Sequence, residues 1–242
     1  MKLLTPGLSN AKLAKGEGEY TTYILHLAPA NVSGYNVCPA ASPGCKAACL
    51  NTAGRGRFTN VQSARIRKTK LFFENRPEFL RLLIKDIDAA IRKSTRTGQK
   101  LSIRLNGTSD IDWENVRFPN VESKTRLNLF ESLSIFEHYP SVQFYDYTKR
   151  PERLRKCASI PNYHLTFSRS EVNDNILRRV PKATNIAIVF GGKSLPVEYN
   201  GRTVIDGTQT DLRFTDPTGV VVGLLAKGKA KQDDSGFVKV VA

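Results

Sequence analysis

Strand-like and helix-like segments alternate from residue 20 to residue 190 of this chain. Segments rich in branched and aromatic residues predict strands at 20–27, 101–105, 142–147, 163–167 and 185–190. Apolar periodicity and end signals predict helices at 61–75, 77–96, 124–138, 151–156 and 171–180. Strands that are joined through helices run parallel. The alternation therefore predicts an α/β fold, as a partial parallel (β/α) barrel of about six strands or, alternatively, a doubly wound open sheet.

The chain of 242 residues is predicted to be one domain, 1–242, with a parallel core at 20–190 and a β-rich C-terminal extension at 195–242. Asn200-Gly201 predicts a tight β-hairpin turn within that extension. No run of apolar residues is long enough to cross a membrane, and the first residues lack the apolar core of a secretion signal. We therefore expect a cytoplasmic protein, in which structural disulfides are uncommon.

Three of the four cysteines, Cys38, Cys45 and Cys49, lie within twelve residues just after the first predicted strand. Thiolates repel one another unless a positive centre lies between them, so a metal ion or an iron–sulfur cluster is the simplest explanation. Ser42-Pro43 predicts a helix N-cap with proline at the first helical position. Cys45 and Cys49 would then share one helix face, and Cys38 would approach from the preceding loop. We predict that the three sulfurs converge on one centre.

The spacing of these cysteines favours iron and sulfide over zinc. Structural zinc sites usually show two short ligand pairs, which this chain lacks, although a structural zinc site remains an alternative. A 4Fe-4S cluster with one open iron, or a 3Fe-4S cluster, fits three thiolates. Cys157 is predicted at the opposite end of the strands and is not expected to be a ligand. His26 ends the first strand, where it could complete a zinc site or serve as a core histidine.

Polar residues follow each predicted strand, whereas the opposite strand ends are plainer in composition. Because the carboxyl ends of parallel strands meet at one edge, a pocket is expected there. Its predicted lining residues are Asn106, Asp110, Lys149, Arg169 and Glu171. Asp110, Asp112 and Glu114 are expected to hold this edge together by pairing with arginines, in preference to acid–base chemistry.

The formal net charge of +15 is concentrated in one part of the chain. Residues 55–100 contain thirteen Lys or Arg against four acidic residues, and so supply nine of the fifteen charges. Such a surface favours a polyanionic partner, either nucleic acid or a host complex that handles it. The predicted contact residues are Arg55, Arg57, Arg65, Arg67 and Lys68.

Further motifs are distributed along most of the chain, among them His26-Leu-Ala-Pro-Ala30, Ser42-Pro-Gly-Cys45, Gly54-Arg-Gly56, Arg104-Leu-Asn-Gly-Thr-Ser-Asp110 and Tyr145-Asp-Tyr-Thr-Lys149. These motifs resemble those of a phage family known as gene product 88. The resemblance implies a phage-encoded protein that acts in the bacterial cytoplasm, and it implies no particular reaction.

The cysteine loop is also distantly similar to the cluster loop of radical S-adenosylmethionine enzymes, in which three cysteines follow the first barrel strand. That family's usual spacing is Cys-x3-Cys-x2-Cys, whereas six and three residues separate these cysteines. Asn106-Gly107-Thr108 stands where that family has Gly-Gly-Glu. Two hypotheses follow, a cluster-binding protein with a polyanion surface and an enzyme whose open iron binds S-adenosylmethionine.

Overall fold

The computed structural model describes residues 1–7, 18–118 and 133–240. Its strands are β1 (Leu4–Pro6), β2 (Tyr20–Leu25), β3 (Lys100–Arg104), β4 (Arg117–Phe118), β5 (Leu133–Ser134), β6 (Gln143–Thr148), β7 (Tyr163–Ser168), β8 (Ile186–Phe190), β9 (Glu198–Tyr199), β10 (Arg202–Asp206) and β11 (Val221–Leu225). Its α-helices are α1 (Pro43–Ala47), α2 (Thr59–Glu74), α3 (Arg76–Thr97), α4 (Ile135–His138) and α5 (Pro151–Cys157). Short 3-10 helices lie at Leu50–Thr52, Gly54–Arg57, Trp113–Asn115, Asp174–Arg179, Arg213–Thr215 and Gly228–Gln232.

Nine of these strands form one mixed sheet in the order β1-β2-β3-β6-β7-β8-β11-β10-β9. The seven inner strands pair in parallel, and β1 and β9 pair antiparallel at the two ends. The predicted mixture of parallel strands and helices is confirmed. The partial barrel of about six strands is not confirmed, because the sheet has nine strands and its end strands pair with different neighbours within the described ranges.

Helix α3 covers one face of β2 and β3 because its apolar residues repeat at helical spacing. Asn75 caps the helix by accepting a hydrogen bond from the Glu78 N–H (3.2 Å), and Gly98 ends it in the left-handed conformation (φ 68°). The buried residues of this layer include Phe79, Leu83 and Ile87 of α3 with Leu101, Ile103 and Phe144 of the sheet. Burial of each such side chain contributes roughly 1.5–3 kcal/mol. None of the described helices is long and apolar enough to cross a membrane.

Two predicted helices differ from the structure. The segment 171–180 forms only the 3-10 helix Asp174–Arg179, because the Asn173 side chain accepts from the Ser170 N–H (2.7 Å) and donates to the Ser168 carbonyl (3.1 Å). Such local hydrogen bonds compete with those of an α-helix. Most of the predicted helix at 124–138 lies outside the described residues, and only α4, capped by Ser134 and Glu137, falls within them.

The predicted hairpin is confirmed, but it does not stand apart from the core. Asn200 and Gly201 both have positive φ (51° and 72°) and join β9 to β10 in a tight turn. Strand β10 then pairs in parallel with β11, and β11 pairs with β8. The C-terminal segment therefore continues the main sheet.

Candidate functional site

Helix α1 presents Cys45 at the carboxyl end of the parallel strands. Ser42 caps the helix, since its side-chain oxygen accepts a hydrogen bond from the Cys45 N–H (3.1 Å), and Pro43 is the first helical residue. Glu171, from the loop after β7, accepts from the Ser42 hydroxyl and from the Gly44 N–H, both at 2.7 Å. The predicted cap is confirmed. The Glu171 carboxylate, which binds the cap residue Ser42, also joins the cysteine loop to the loop after β7.

Cys38 and Cys49 lie on either side of α1 in non-helical segments. The helix ends at Ala47, so Cys49 precedes the next 3-10 helix and does not share a helix face with Cys45. The Ala30 N–H donates to the Cys38 sulfur (3.4 Å), and the Asn51 N–H donates to that of Cys49. Backbone N–H groups directed at sulfur stabilise thiolates and are a usual feature of metal–thiolate sites.

The three thiols are near neighbours, but they do not form a site for a single ion. The pKa of the Cys38 thiol is raised to about 11, mainly by burial, and negative charge on Cys49 or Cys45 acts in the same direction. Burial also raises the pKa of Cys49, and Cys45 acts on it in the same direction. Across the described ranges, no three His, Cys, Asp or Glu side chains are arranged to hold a metal ion. The predicted convergence on one point is therefore not found.

Two cations lie close to these thiols. Arg65 and Lys149 both lower the pKa of Cys49, in opposition to burial. The Arg65 guanidinium donates to the Asn51 side-chain oxygen, and the Lys149 ammonium donates to the Ser168 hydroxyl (2.7 Å). Positive charge at this position would stabilise any anionic centre bound by the cysteines.

The C-terminal segment covers α1. Ala230, Phe237 and Val238 form a small apolar cluster with Ala48 and with Cys45 at its margin. Only glycine fits at position 44 of this interface, since a Cβ there would collide with the Ser235 hydroxyl and lie 2.8 Å from the Phe237 Cβ. The helix that carries Cys45 is therefore held by Glu171 and by the C-terminal segment together.

Arg169 fixes this covering segment in place. Its buried guanidinium donates to the carbonyls of Gly236 and Phe237, both at 2.6 Å, and pairs with Asp174 (2.6 Å). Arg169 is therefore committed to the protein's own backbone and carboxylate. The pocket role predicted for it is replaced by a structural role.

Asp110 connects three loops at the same edge. Its N–H donates to the Val37 carbonyl (2.8 Å), and its carboxylate accepts from the Lys149 N–H (2.9 Å) and from Arg153 (2.6 Å). Arg153 is 1% exposed and donates two further hydrogen bonds to Glu114, at 2.8 and 2.9 Å. The predicted pairing of these acids with arginines is confirmed, as is that of Asp112, which pairs with Arg150 (3.7 Å).

Asn106, in the loop after β3, stabilises this edge through several hydrogen bonds. Its side-chain oxygen accepts from the Ser109 hydroxyl, the Ile111 N–H and the Trp113 indole at 2.8–3.3 Å, and its own N–H donates to buried Asp146 (2.7 Å). Of the five predicted pocket residues, Asn106, Asp110 and Arg169 are buried in hydrogen-bond networks. Glu171 is hydrogen-bonded to the cysteine loop, and Lys149 lies near enough to lower the pKa of Cys49.

Cys157 lies apart from the other cysteines, in the main apolar core. Burial raises the pKa of its thiol to about 12, and the charges that act on it come from Glu114, Arg153 and Lys156. None of these belongs to the cysteine loop. The placement agrees with the prediction that Cys157 lies away from the cysteine loop.

The predicted polyanion contacts divide into exposed and buried residues. Arg55, Arg57 and Arg67 are exposed, whereas Arg65 is half-buried beside Cys49. Lys68 is buried and donates to the Leu3 carbonyl (2.6 Å), and burial lowers its pKa to about 8. The assignment of Lys68 to a polyanion-binding surface is therefore wrong, because its ammonium is used inside the fold.

The polar second face of the sheet was not anticipated. By register, Ser102, Arg104, Tyr145, Tyr147, His164 and Thr166 share this face across β3, β6 and β7. Phe214 covers part of it, with ring centroids 5.0 Å from Tyr20 and 5.4 Å from Tyr145. The Tyr145 hydroxyl and the Thr166 hydroxyl are buried without a hydrogen-bond partner in the part of the chain that is described. Alternating polar residues in parallel strands, which are usually apolar throughout, were the available signal.

These features define a mixed α/β protein with a large, mostly parallel sheet and a three-cysteine loop at its carboxyl edge. The chain belongs to the gene product 88 family, whose family model matches residues 1–240. The family resemblance indicated by the motifs is thereby confirmed, and similarity to radical S-adenosylmethionine enzymes is not shown. No curated protein and no solved structure matches the chain.

Replacement of Arg153 by alanine should lower the free energy of unfolding by about 3–5 kcal/mol, because Asp110 and Glu114 would lose their buried cation. Urea unfolding monitored by circular dichroism measures this change. Arg155→Ala, an exposed arginine of the same helix, is the matched control and should change stability by less than about 0.5 kcal/mol. Similar losses in the two variants would contradict the structural role of Arg153.

Proposed function

We propose that this protein binds an iron–sulfur cluster through Cys38, Cys45 and Cys49. The proposal rests on three neighbouring thiols, two of which accept hydrogen bonds from the backbone. The Ala30 N–H donates to the Cys38 sulfur, and the Asn51 N–H donates to the Cys49 sulfur. Three half-buried thiols gain nothing from this crowding when they are neutral, whereas a cluster would bind them as thiolates and offset their mutual repulsion.

The spacing of the cysteines along the sequence favours a cluster over zinc, because structural zinc sites usually show two short ligand pairs, which this sequence lacks. Arg65 and Lys149 would stabilise the negative charge of a cluster–thiolate centre. Such a centre, as 4Fe-4S or 3Fe-4S, would supply redox activity or an open iron.

Anaerobically purified protein should be brown, absorb at about 400 nm and contain iron and acid-labile sulfide in comparable amounts. Cys45→Ser should lose most of the iron, because it removes a ligand from the centre of the loop. Cys157→Ala is the control and should keep iron and colour, since Cys157 lies in the apolar core. Colourless protein with stoichiometric zinc would instead identify the structural zinc alternative, and equal iron loss in both variants would contradict the ligand assignment.

We further propose that the exposed residues around the cysteine loop contact nucleic acid. Arg55 and Arg57 are exposed and flank the cysteine loop, together with the exposed apolar residues Leu50 (63%) and Phe58 (50%). Arginines beside an exposed aromatic ring can bind phosphates while the ring stacks on a base. Membership of the gene product 88 family supports a phage-encoded protein.

The double variant Arg55→Glu/Arg57→Glu should weaken binding of a labelled single-stranded DNA oligonucleotide. The slope of the logarithm of affinity against the logarithm of salt concentration should also become shallower, by about 0.7 for each phosphate that the protein no longer neutralises. Fluorescence anisotropy at several salt concentrations measures both effects. Arg92→Glu/Arg96→Glu makes the same change in charge on exposed residues of α3, near the opposite edge of the sheet. Equal weakening by both double variants would show that only net charge matters, against a defined contact surface.

An enzyme is the second candidate function, and the polar second face of the sheet favours it. Buried hydroxyls of Tyr145 and Thr166 that lack partners among the described residues are suited to binding a polar small molecule. An open iron at the adjacent edge could supply an electron for reductive cleavage of S-adenosylmethionine.

Wild-type protein given S-adenosylmethionine and dithionite under anaerobic conditions should form 5′-deoxyadenosine if this second function is correct. Liquid chromatography with mass detection measures the product, and Cys45→Ser is the control that removes a cluster ligand. Absence of product in the wild type, or equal amounts in both proteins, would leave the cluster-binding proposal standing without the radical chemistry.

A further inference from the structure

Three nitrogen-bearing side chains lie near the carboxyl ends of β2 and β3, where Arg65 and Arg104 both act on the pKa of His26. Arg104 is the last residue of β3, in register with Ile24, and His26 follows Ile24 by two positions on the same strand path. Arg65 reaches this point from α2. Thr69, one turn further along that helix, accepts a hydrogen bond from the Ala28 N–H (2.8 Å), which ties α2 to the segment after β2.

Each of these side chains has a buried nitrogen without a partner. The Nδ1 of His26, the Nε of Arg65 and the Nε of Arg104 find no hydrogen-bond partner in residues 1–7, 18–118 and 133–240. A buried donor that is left unsatisfied is destabilising, and native proteins rarely concentrate several of them in one place. Three such atoms on adjoining segments therefore indicate a site that is completed by a ligand.

The cations near His26 place positive charge around its ring. Burial, together with Arg65, Arg104 and Lys68, lowers the pKa of His26 to about 3, so the imidazole is neutral and can carry a proton on Nδ1. Arg65 donates to the neutral Asn51 side chain. Arg104 pairs with Asp211 (2.9 Å), stacks on the Tyr147 ring at 4.6 Å and is also acted on by the buried carboxyl group of Asp146.

We propose that Arg65, Arg104 and His26 form a binding site for an anionic group, the carboxylate or phosphate of a small molecule. The Nε–H groups of the two arginines and the Nδ1–H of His26 would donate to its oxygens. All three residues are half-buried, so the site reaches solvent while its donors lie below the surface. The proposal does not depend on a cluster, although Arg65 places the site beside Cys49.

Isothermal titration of the full chain with inorganic phosphate and with acetate, at constant ionic strength, tests this site. Wild-type protein should bind at least one of the two anions saturably, and the preferred anion distinguishes a phosphoryl ligand from a carboxylate ligand. Arg65→Gln should weaken binding about tenfold or more, because it removes a charge-assisted donor. Arg67→Gln, an exposed arginine of the same helix, is the matched control and should bind within about twofold of wild type.

Arg104→Lys provides a second test in case Arg65→Gln fails to fold. It keeps the positive charge beside Asp211 but removes the planar guanidinium, and should weaken binding several-fold. Titration of Cys45→Ser separates this proposal from cluster binding, since anion affinity should survive the loss of iron. The proposal is overturned if the wild type binds neither anion saturably, or if Arg65→Gln and Arg67→Gln bind equally well.

Discussion

The contact between Asp110 and Arg153 is the interaction on which the carboxyl edge of this sheet depends. Through backbone and side chain, Asp110 holds the Val37 segment, the end of β6 and helix α5 together. The cysteine loop begins at the residue after Val37. A carboxylate at position 110 therefore sets where the first cysteine lies relative to the strands, and burial of its arginine partner makes the arrangement costly to change.

Long-range polar contacts position the thiols more than the short helix that carries one of them. Helix α1 has five residues and would not be stable alone. Glu171 fastens its first turn to the loop after β7, and Arg169 from the same loop secures the C-terminal backbone that packs on this helix. The cysteine loop is thus supported by residues from distant parts of the chain.

Regular features of the sequence predicted most of the fold. The five core strands, α2, α3, the Ser42 cap and the Asn200-Gly201 turn follow local rules, and the structure has them within a few residues. The insertion of β11 between β8 and β10 depends on pairing across the sheet, which no local pattern encodes. Asp110, Arg169 and Glu171 were located correctly at one edge, but their partners depend on the tertiary fold.

The same limit explains the errors at the site. Lys68 belongs to a strongly basic segment, and its charge pattern does not distinguish an exposed lysine from one that donates to the Leu3 carbonyl. Cys49 follows Cys45 at helical spacing, but the helix ends after five residues. Charge and spacing in the sequence indicate which residues are candidates for a functional site. Burial and the point at which a helix ends decide which of these residues are accessible there.

The cover over α1 has a consequence for how the protein matures. Most of the chain lies between Ala48 and the residues that pack on it, Ala230 and Phe237. Contacts so distant in sequence form late in folding, so the loop bearing Cys45 stays uncovered during synthesis of the intervening strands. This interval is the period in which the Cys45 thiol is most accessible to oxidants.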